Sequence, residues 1–407
     1  MRKRSATKEV VLGVTGSIAA YKACEIASRL VEHGILVTPV LTYSATKLVG
    51  AATFEAITGR RAILGMFDAA QNPEVEHIAV ATRASLFLIA PATANILAKA
   101  AHGIADDWLS TALLATQAPI LFAPAMNTNM YQHPATQANI KLLEERGAHF
   151  VGPESGRLAC KTVGPGRLIE PQAVLEAAMT LLGDKDDALA GRHVLITSGG
   201  TREALDPVRF IGNHSSGRMG RALAMEALER GCRVTVVTGP AAVTLPHGAM
   251  VERVESAQQM AEAVKRLAPH ADVIIGAAAV ADYRPEHSLA TKHKRGGEPM
   301  TVTLVENEDI IAAAGKAKPP SQVVVGFAAE TGHIRDHAQE KLEKKNLDLI
   351  LACEVGSETS GFGVDTLRAT LLGRDGAAND LGLVSKEEVA QRIFDSVATL
   401  IRSNPGR

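Results

Sequence analysis

Two segments of the chain begin alike. Residues 10–22 read VVLGVTGSIAAYK, an apolar run that breaks into a Gly/Ser/Thr turn and then into helix-forming residues. Residues 193–217 open the same way, with HVLITSGGTREALDPVRFIGNHSSG. An uninterrupted apolar run suits a strand covered on both faces. A small-residue turn after it aims backbone N–H groups and a helix N-terminus at whatever sits above the sheet edge, most often a phosphate. Two such starts in one polypeptide predict two nucleotide-type α/β domains with separate chemistries.

Length agrees with a division, because 407 residues exceed the roughly 250–300 at which a single core stops growing. A content of 46% hydrophobic and 21% charged residues is that of a globular chain. A formal net charge of -1 and 3% aromatic residues argue against nucleic acid as a partner, since phosphate neutralisation needs excess Lys/Arg and single strands need stacking rings. The four cysteines, Cys24, Cys160, Cys232 and Cys353, are scattered without a C-x-x-C pair, which predicts neither a disulfide frame nor a structural zinc. Met1-Arg-Lys-Arg4 is basic, but the apolar stretch behind it is too short for a secretory signal. No run of about 18 apolar residues occurs, so the expectation is a cytoplasmic protein with no membrane partner.

Short apolar runs alternate with helical patterns throughout. In the first half the runs at residues 9–14, 35–41, 85–90 and 119–123 predict strands. Residues 18–33 predict a helix with Ile26, Leu30 and Val31 on one face and Gly34 at its end, and residues 171–182 a closing helix. Residues 183–187, Gly-Asp-Lys-Asp-Asp, read as a charged linker. In the second half strands are expected at 194–197, 233–238, 272–276, 322–326 and 347–351, with a helix over 218–230 stopped by Gly231. The resulting architecture is two Rossmann-like parallel-sheet domains, residues 1–183 and 190–407. Residues 284–300 lack apolar periodicity and carry Lys292, His293, Lys294 and Arg295, which suggests a cationic flap.

The first half carries one constellation. Pro124-Ala-Met-Asn-Thr-Asn-Met-Tyr131 follows a predicted strand, at the carboxyl edge where α/β ligands bind, and Asn127 offers an amide that both donates and accepts. Ala90-Pro-Ala-Thr-Ala-Asn95 follows the neighbouring strand, His77 sits in Val-Glu-His-Ile, and Cys160 closes Ser155-Gly-Arg-Leu-Ala-Cys160. Singly these say little. A lone His fits a structural role, a lone Cys packs as a small hydrophobe, and the turn at 13–16 is not a full G-x-G-x-x-G. As a set they resemble the flavin-dependent cysteine decarboxylase family, and the Cys160 segment resembles its phosphopantothenoylcysteine decarboxylases. The resemblance implies a flavodoxin-like domain holding FMN at Gly16, Ser17, Thr42, Ala92, Thr93, Asn95 and Met126. It implies His77 as base, Asn127 as the holder of the substrate carboxylate or amide, and Cys160 as final proton donor. Such chemistry needs a cofactor, because CO2 loss from a cysteine carboxylate requires an electron sink that no side chain supplies.

The second half carries another. Residues 206–219, DPVRFIGNHSSGRM, are dense in backbone donors and suit an anion, whereas no Walker loop occurs anywhere. In order along the chain stand N-H-S-S-G-R-M-G, A-A-V-A-D-Y, K-H-K, N-E-D-I, G-F-A-A-E-T and K-L-E-K-K-N-L-D. This set resembles phosphopantothenate–cysteine ligase, the domain fused behind the decarboxylase in bacterial bifunctional coenzyme A biosynthesis proteins. The resemblance implies CTP as cosubstrate, an acyl-cytidylate of 4'-phosphopantothenate, and cysteine as the attacking amine. It places Ser215, Ser216, Gly217, Gly276, Ala277, Ala278 and Asp282 along the nucleotide, and Asn307, Glu308, Asp309, Ile310 and Phe327 around its base and ribose. Lys292, Lys341 and Lys345 would neutralise phosphate charge, and Asn213 with Arg209 would handle the acyl-cytidylate. Mg2+ would bridge the phosphates, with its protein ligands left undefined and Asp282 one candidate. Two departures are visible: Lys292-His-Lys-Arg295 where relatives often have K-x-K-K, and Glu308 in place of a frequent proline. Trimeric flavin domains and dimeric ligase domains are implied as well. Two other readings remain. One is a flavin-binding regulatory protein without activity, against which His77, Asn127 and Cys160 are all present; the other is an NAD(P)-dependent oxidoreductase, against which no complete glycine fingerprint occurs.

Overall fold

The computed structural model describes residues 8–66, 76–159, 161–292, 300–330, 334–354, 361 and 363–403. Its chain divides into two units, Met1–Leu182 and Gly183–Arg407.

The first unit runs β1 (Glu9–Val14), α1 (Lys22–Glu32), β2 (Leu36–Leu41), α2 (Tyr43–Thr46), α3 (Ala51–Thr58), α4 (Glu76–Arg83), β3 (Leu86–Ala92), α5 (Ala94–His102), α6 (Trp108–Ala115), β4 (Ile120–Pro124), α7 (Thr128–Gln132), α8 (Pro134–Glu145), β5 (His149–Phe150), β6 (Glu154–Arg157), β7 (Val163–Arg167) and α9 (Pro171–Leu182). Five strands form one sheet in the order β2-β1-β3-β4-β5. Every pairing in it is parallel, the doubly wound order of flavodoxin. Alternate residues feed opposite faces. Leu12 and Val14 pack with Ile26, Leu30 and Phe54 on one side, while Val11 packs with Phe87, Trp108 and Phe122 on the other. The helix expected over 18–33 begins instead as a 3-10 turn, Ile18–Tyr21, capped by Ser17, and becomes α-helical from Lys22. The antiparallel hairpin β6–β7 stands apart from the main sheet.

The second unit runs β8 (His193–Ser198), β9 (Arg202–Ala204), β10 (Phe210–Gly212), α10 (Arg218–Glu229), β11 (Arg233–Thr238), β12 (Met250–Arg253), α11 (Ala257–Leu267), β13 (Val273–Gly276), β14 (Tyr283–Pro285), β15 (Leu304–Glu306), α12 (Ile310–Ala317), β16 (Val323–Glu330), α13 (Ile334–Lys344), β17 (Leu349–Glu354), β18 (Thr366–Gly373), β19 (Ala378–Ser385) and α14 (Lys386–Ser403). Its eight-stranded sheet has the order β12-β11-β8-β13-β16-β17-β18-β19. The pairings from β12 to β17 are parallel, as the unbroken apolar runs predict. The β17–β18 and β18–β19 pairings are antiparallel, so the sheet is mixed rather than wholly parallel.

Two further expectations change. Residues 183–187 are not a free linker: Asp186 is 2% exposed, accepts from Arg402 at 2.5 Å and faces Arg230 at 3.7 Å. Leu189, two residues on from Asp187, is fully buried in the second unit's core. The stretch expected as a loop from residue 284 begins inside a strand, because β14 pairs antiparallel with β15. His293, Lys294 and Arg295 lie outside the described residues.

Candidate active sites

At the carboxyl edge of the first sheet the turns after β1, β2, β3 and β4 come from neighbouring strands. The turn after β1 packs tightly on α2, since a Cβ on Gly16 would lie 2.4 Å from that of Ser44. Thr42 caps α2, its hydroxyl accepting from the Ala45 amide at 3.3 Å, while its own amide donates to Val14 at 3.1 Å. Thr93 caps α5 in the same manner, 3.4 Å from the Ile96 amide. Between these turns the Thr15 hydroxyl donates to the Pro91 carbonyl at 2.7 Å and accepts from the Thr93 amide at 3.2 Å. The result is a stitched, small-residue edge.

The remaining first-half candidates sit around it. Ala92 is buried and accepts from the Ala125 amide at 3.0 Å, and the Met126 amide donates to Gly166 at 2.9 Å. Gly166 has φ +129, and a Cβ there would lie 2.3 Å from the Met126 carbonyl, so the β6–β7 hairpin closes directly onto the Pro124–Met130 stretch. Asn127 caps α7, accepting from the Asn129 amide at 2.8 Å. The neighbouring Thr128 hydroxyl is buried with no hydrogen-bond partner. Asn95 is exposed, and His77 is half-buried on the first turn of α4. That helix leads into β3, so its start points towards the carboxyl edge. Cys160 lies outside the described residues. An edge of tight turns, an orphaned hydroxyl, and the exposed apolar Ile18, Tyr21 and Tyr43 beside the first turn fit a flat, phosphate-bearing cofactor such as FMN.

At the carboxyl edge of the second sheet lies a cavity of about 560 Å³. It gathers Asn213, Ser215, Ser216 and Gly217 from the segment before α10 and Gly276, Ala277, Ala278 and Asp282 from the end of β13. Asn307, Glu308, Asp309 and Ile310 enter from the start of α12, Phe327 from β16, and Lys341 and Lys345 from α13 and its end. The Asn213 amide donates to the Val280 carbonyl at 2.9 Å, and Asn307 donates to the Ala281 carbonyl at 2.8 Å. These two bonds fix the loop after β13 from both sides. Asp309 caps α12 through the Ala312 amide at 2.9 Å and pairs with Lys345 at 2.8 Å. Burial works to raise its carboxyl, but Lys345 and the backbone donors outweigh that and hold it below the usual carboxylate range. Glu308 pairs with Lys265 at 2.6 Å.

Two expected residues stand off this cavity. Arg209 is engaged by the fully buried carboxylate of Asp206, with its Nε at 2.9 Å, and does not line the cavity. Lys292 is outside the lining too, and is the last described residue before Met300. Several lining residues had no part in the sequence-based site, Cys353, Glu354 and Lys386 among them, while Arg218 comes from the anion-suited segment 206–219. Burial pushes the Cys353 thiol up to about 12, which makes it a neutral wall rather than a nucleophile. Among the described residues no group of three or more His, Cys, Asp or Glu side chains could hold a metal ion. No helix among them is long and apolar enough to cross a membrane.

A flavodoxin-order sheet followed by a nucleotide-type cavity unit defines a two-site enzyme of the flavoprotein class. Residues 1–183 match the family described as flavoprotein, and residues 189–401 match the DNA/pantothenate metabolism flavoprotein C-terminal domain. The chain is 46% identical over 417 residues to the coenzyme A biosynthesis bifunctional protein CoaBC of Mycolicibacterium smegmatis, covering 99% of this chain and 100% of that one. It is 43% identical over 403 residues to the protein of the same name from Bacillus subtilis, covering 98% and 99%. The crystal structure of the C-terminal domain of a coenzyme A biosynthesis bifunctional protein CoaBC aligns at 36% identity over 54% of this chain and 100% of that one, with a TM-score of 0.46. The chain belongs to the bifunctional coenzyme A biosynthesis family, and carries a decarboxylase and a ligase in one polypeptide.

Proposed function

We propose that the second unit joins cysteine to 4'-phosphopantothenate with CTP, and that the first unit decarboxylates the resulting 4'-phosphopantothenoylcysteine to 4'-phosphopantetheine with FMN. One observation carries the reading. Five separate stretches, each matching a ligase motif, converge on one cavity, so residues far apart in sequence become the walls of a single site.

In the ligase half the carboxylate of phosphopantothenate attacks the α-phosphorus of CTP, pyrophosphate leaves, and the cysteine amine then displaces CMP to form the amide. Gly276, Ala277 and Ala278 carry no side chain large enough to bar a base or ribose from the backbone. Lys341 and Lys345 neutralise charge that grows on the phosphates. The Asn213 side chain, anchored to Val280, orients the acyl group for amine attack, and Lys292 adds a further cation for the phosphates. Mg2+ takes most of its ligands from phosphates and water, so the lack of a three-residue acidic cluster among the described residues fits a metal that arrives with CTP; Asp282, exposed at the cavity, would hold it.

In the decarboxylase half the turns at Gly16–Ser17, Thr42, Ala92–Asn95 and Met126 would hold FMN. The chemistry FMN supplies when bound is a two-electron sink for the substrate thiol carbon. His77 takes the proton released there as general base. Asn127 orients the substrate carboxylate or amide, and Cys160 returns the last proton. Exposed apolar side chains support closed homo-oligomers: Ile18, Tyr21 and Tyr43 for trimers of flavin units, Val208, Phe210, Tyr283 and Leu304 for dimers of ligase units. A cytoplasmic setting follows from the metabolites used.

The test is direct. Incubation of the purified protein with phosphopantothenate, cysteine, CTP and Mg2+, followed by mass spectrometry, should show the amide and then its loss of CO2. The free protein should show a flavin absorption spectrum, or gain one on adding FMN. A colourless protein that acquires none, or a reaction giving CMP without the amide, overturns the corresponding half.

A further inference from the structure

One cation of the ligase cavity has no carboxylate in contact with it among the described residues. Lys386 opens α14 and lines the cavity, yet it is only 4% exposed. Three physical effects oppose an ammonium in that place: burial removes its water, Arg218 brings like charge, and the first turn of a helix disfavours cations. Burial and Arg218, in that order, hold its pKa below the ordinary lysine range, against the pull of Asp365 and Glu387. Its hydrogen-bond partners are neutral, the carbonyls of Gly361 at 3.3 Å and of Val364. The one carboxylate nearby that is committed to a cation, Asp365, pairs with Arg218 at 2.8 Å, and Arg218 also donates to the Gly363 carbonyl at 3.0 Å. An ammonium has three donors, and two are used.

The placement adds to this. α10 and α14 cover one face of the sheet with Leu223, Val389 and Phe394, while α12 and α13 cover the other with Ala314, Ala338 and Leu342. Lys341 and Lys345 therefore reach the cavity from one face, and Arg218 and Lys386 from the opposite face. A buried cation that no carboxylate contacts is costly unless an anion joins it.

We propose that Lys386 binds a phosphate group of a ligase substrate from the α14 face of the sheet, the ligand supplying the direct ion-pair partner that no described carboxylate provides. This rests on the ligase reading above. The phosphate belongs either to the CTP triphosphate or to phosphopantothenate, and binding measurements separate the two. Titration calorimetry on the full-length protein would compare CTP, CMP and phosphopantothenate for the wild type, Lys386→Met and Lys386→Arg. Loss of one charge-assisted hydrogen bond predicts about 10–100-fold weaker binding of CTP or of phosphopantothenate by Lys386→Met, with CMP unchanged and most affinity kept by Lys386→Arg. The ligand that loses affinity identifies the source. Unchanged affinity for both, or a loss for CMP as large as for CTP, overturns the proposal. If Lys386→Met does not fold, the pH dependence decides: raising the pH should weaken the wild type more than Lys386→Arg, because arginine keeps its charge, and identical profiles overturn it. A wild type that binds none of the three ligands refutes the ligase reading itself.

Discussion

At the scale of single residues the two sites make separable demands. In the decarboxylase half a base is needed before CO2 leaves and an acid after it. His77→Asn should abolish CO2 release, whereas Cys160→Ser should release CO2 and accumulate an ene-thiol lighter than the normal thiol by two hydrogens. Mass spectrometry of the products decides, and a normal saturated product from Cys160→Ser would remove that residue from the role. In the ligase half, Lys292→Gln should suppress pyrophosphate release even without cysteine, by about 10²–10³ if it acts as a preorganised charge. Asn213→Asp should spare that step and accumulate phosphopantothenoyl-CMP. Intermediate persisting in the Lys292 variant and not in the Asn213 variant would exchange the two roles. A structural charge gives a pH signature. Glu9 bonds Thr38 at 2.7 Å, Arg60 at 2.5 Å and Arg83 at 3.0 Å. Burial works to raise its carboxyl, but Thr38, Arg60 and Arg83 together hold it below the ordinary range. Its stabilisation is therefore fully present above the unfolded value, about 4.3, and is lost as pH falls through the lower folded value. Glu9→Gln should lower unfolding free energy by about 1–3 kcal/mol at neutral pH, a difference that denaturant melts should show shrinking only under acid. A difference that persists unchanged in acid would assign the loss to packing.

At the scale of elements, legibility followed the physics of burial. Strands covered on both faces read as unbroken apolar runs, which is why β1, β8 and β11 stand where residues 9–14, 194–197 and 233–238 predict them. β19 does not read that way, because Ala378–Ser385 is a half-exposed edge carrying Asn379 and Asp380. The helix behind it did carry a signal, in the spacing of Val389, Ile393, Val397 and Ile401, all buried. The turn residues of both sites were legible as motifs. Lys386 was not, since Ser-Lys-Glu-Glu is an ordinary helix start and only the fold reveals its burial. The segment 183–190 misled for a related reason: its charges suggest solvent, but Asp186 is neutralised inside the unit by Arg230 and Arg402. A fragment beginning at Ala190 therefore loses a buried carboxylate and the fully buried Leu189. Against a fragment beginning at Gly183, it should be less stable by about 2–5 kcal/mol in urea melts, the cost of a deleted core leucine alone. Equal midpoints would return the segment to the status of a linker.

At the scale of the whole molecule, each unit owns a complete sheet and its own pair of cores, one on either face. Each candidate site, moreover, draws all its described residues from a single unit: the Gly16–Gly166 set lies before Leu182, and the cavity from Asn213 to Lys386 lies after Gly183. Cooperative unfolding follows packed units, so two units that share no core predict two transitions rather than one. Residues 1–182 and 183–407, expressed separately, should both fold. The first should bind FMN and decarboxylate added phosphopantothenoylcysteine, and the second should make that compound from phosphopantothenate, cysteine and CTP. Mixed together, they should restore the two-step sequence, which mass spectrometry of the mixture would follow. Calorimetry of the intact chain should show one transition raised by FMN and another raised by CTP, each ligand stabilising only the unit that binds it. A fragment that folds, shown by circular dichroism, yet fails on its own substrates would mean that its site requires the other unit.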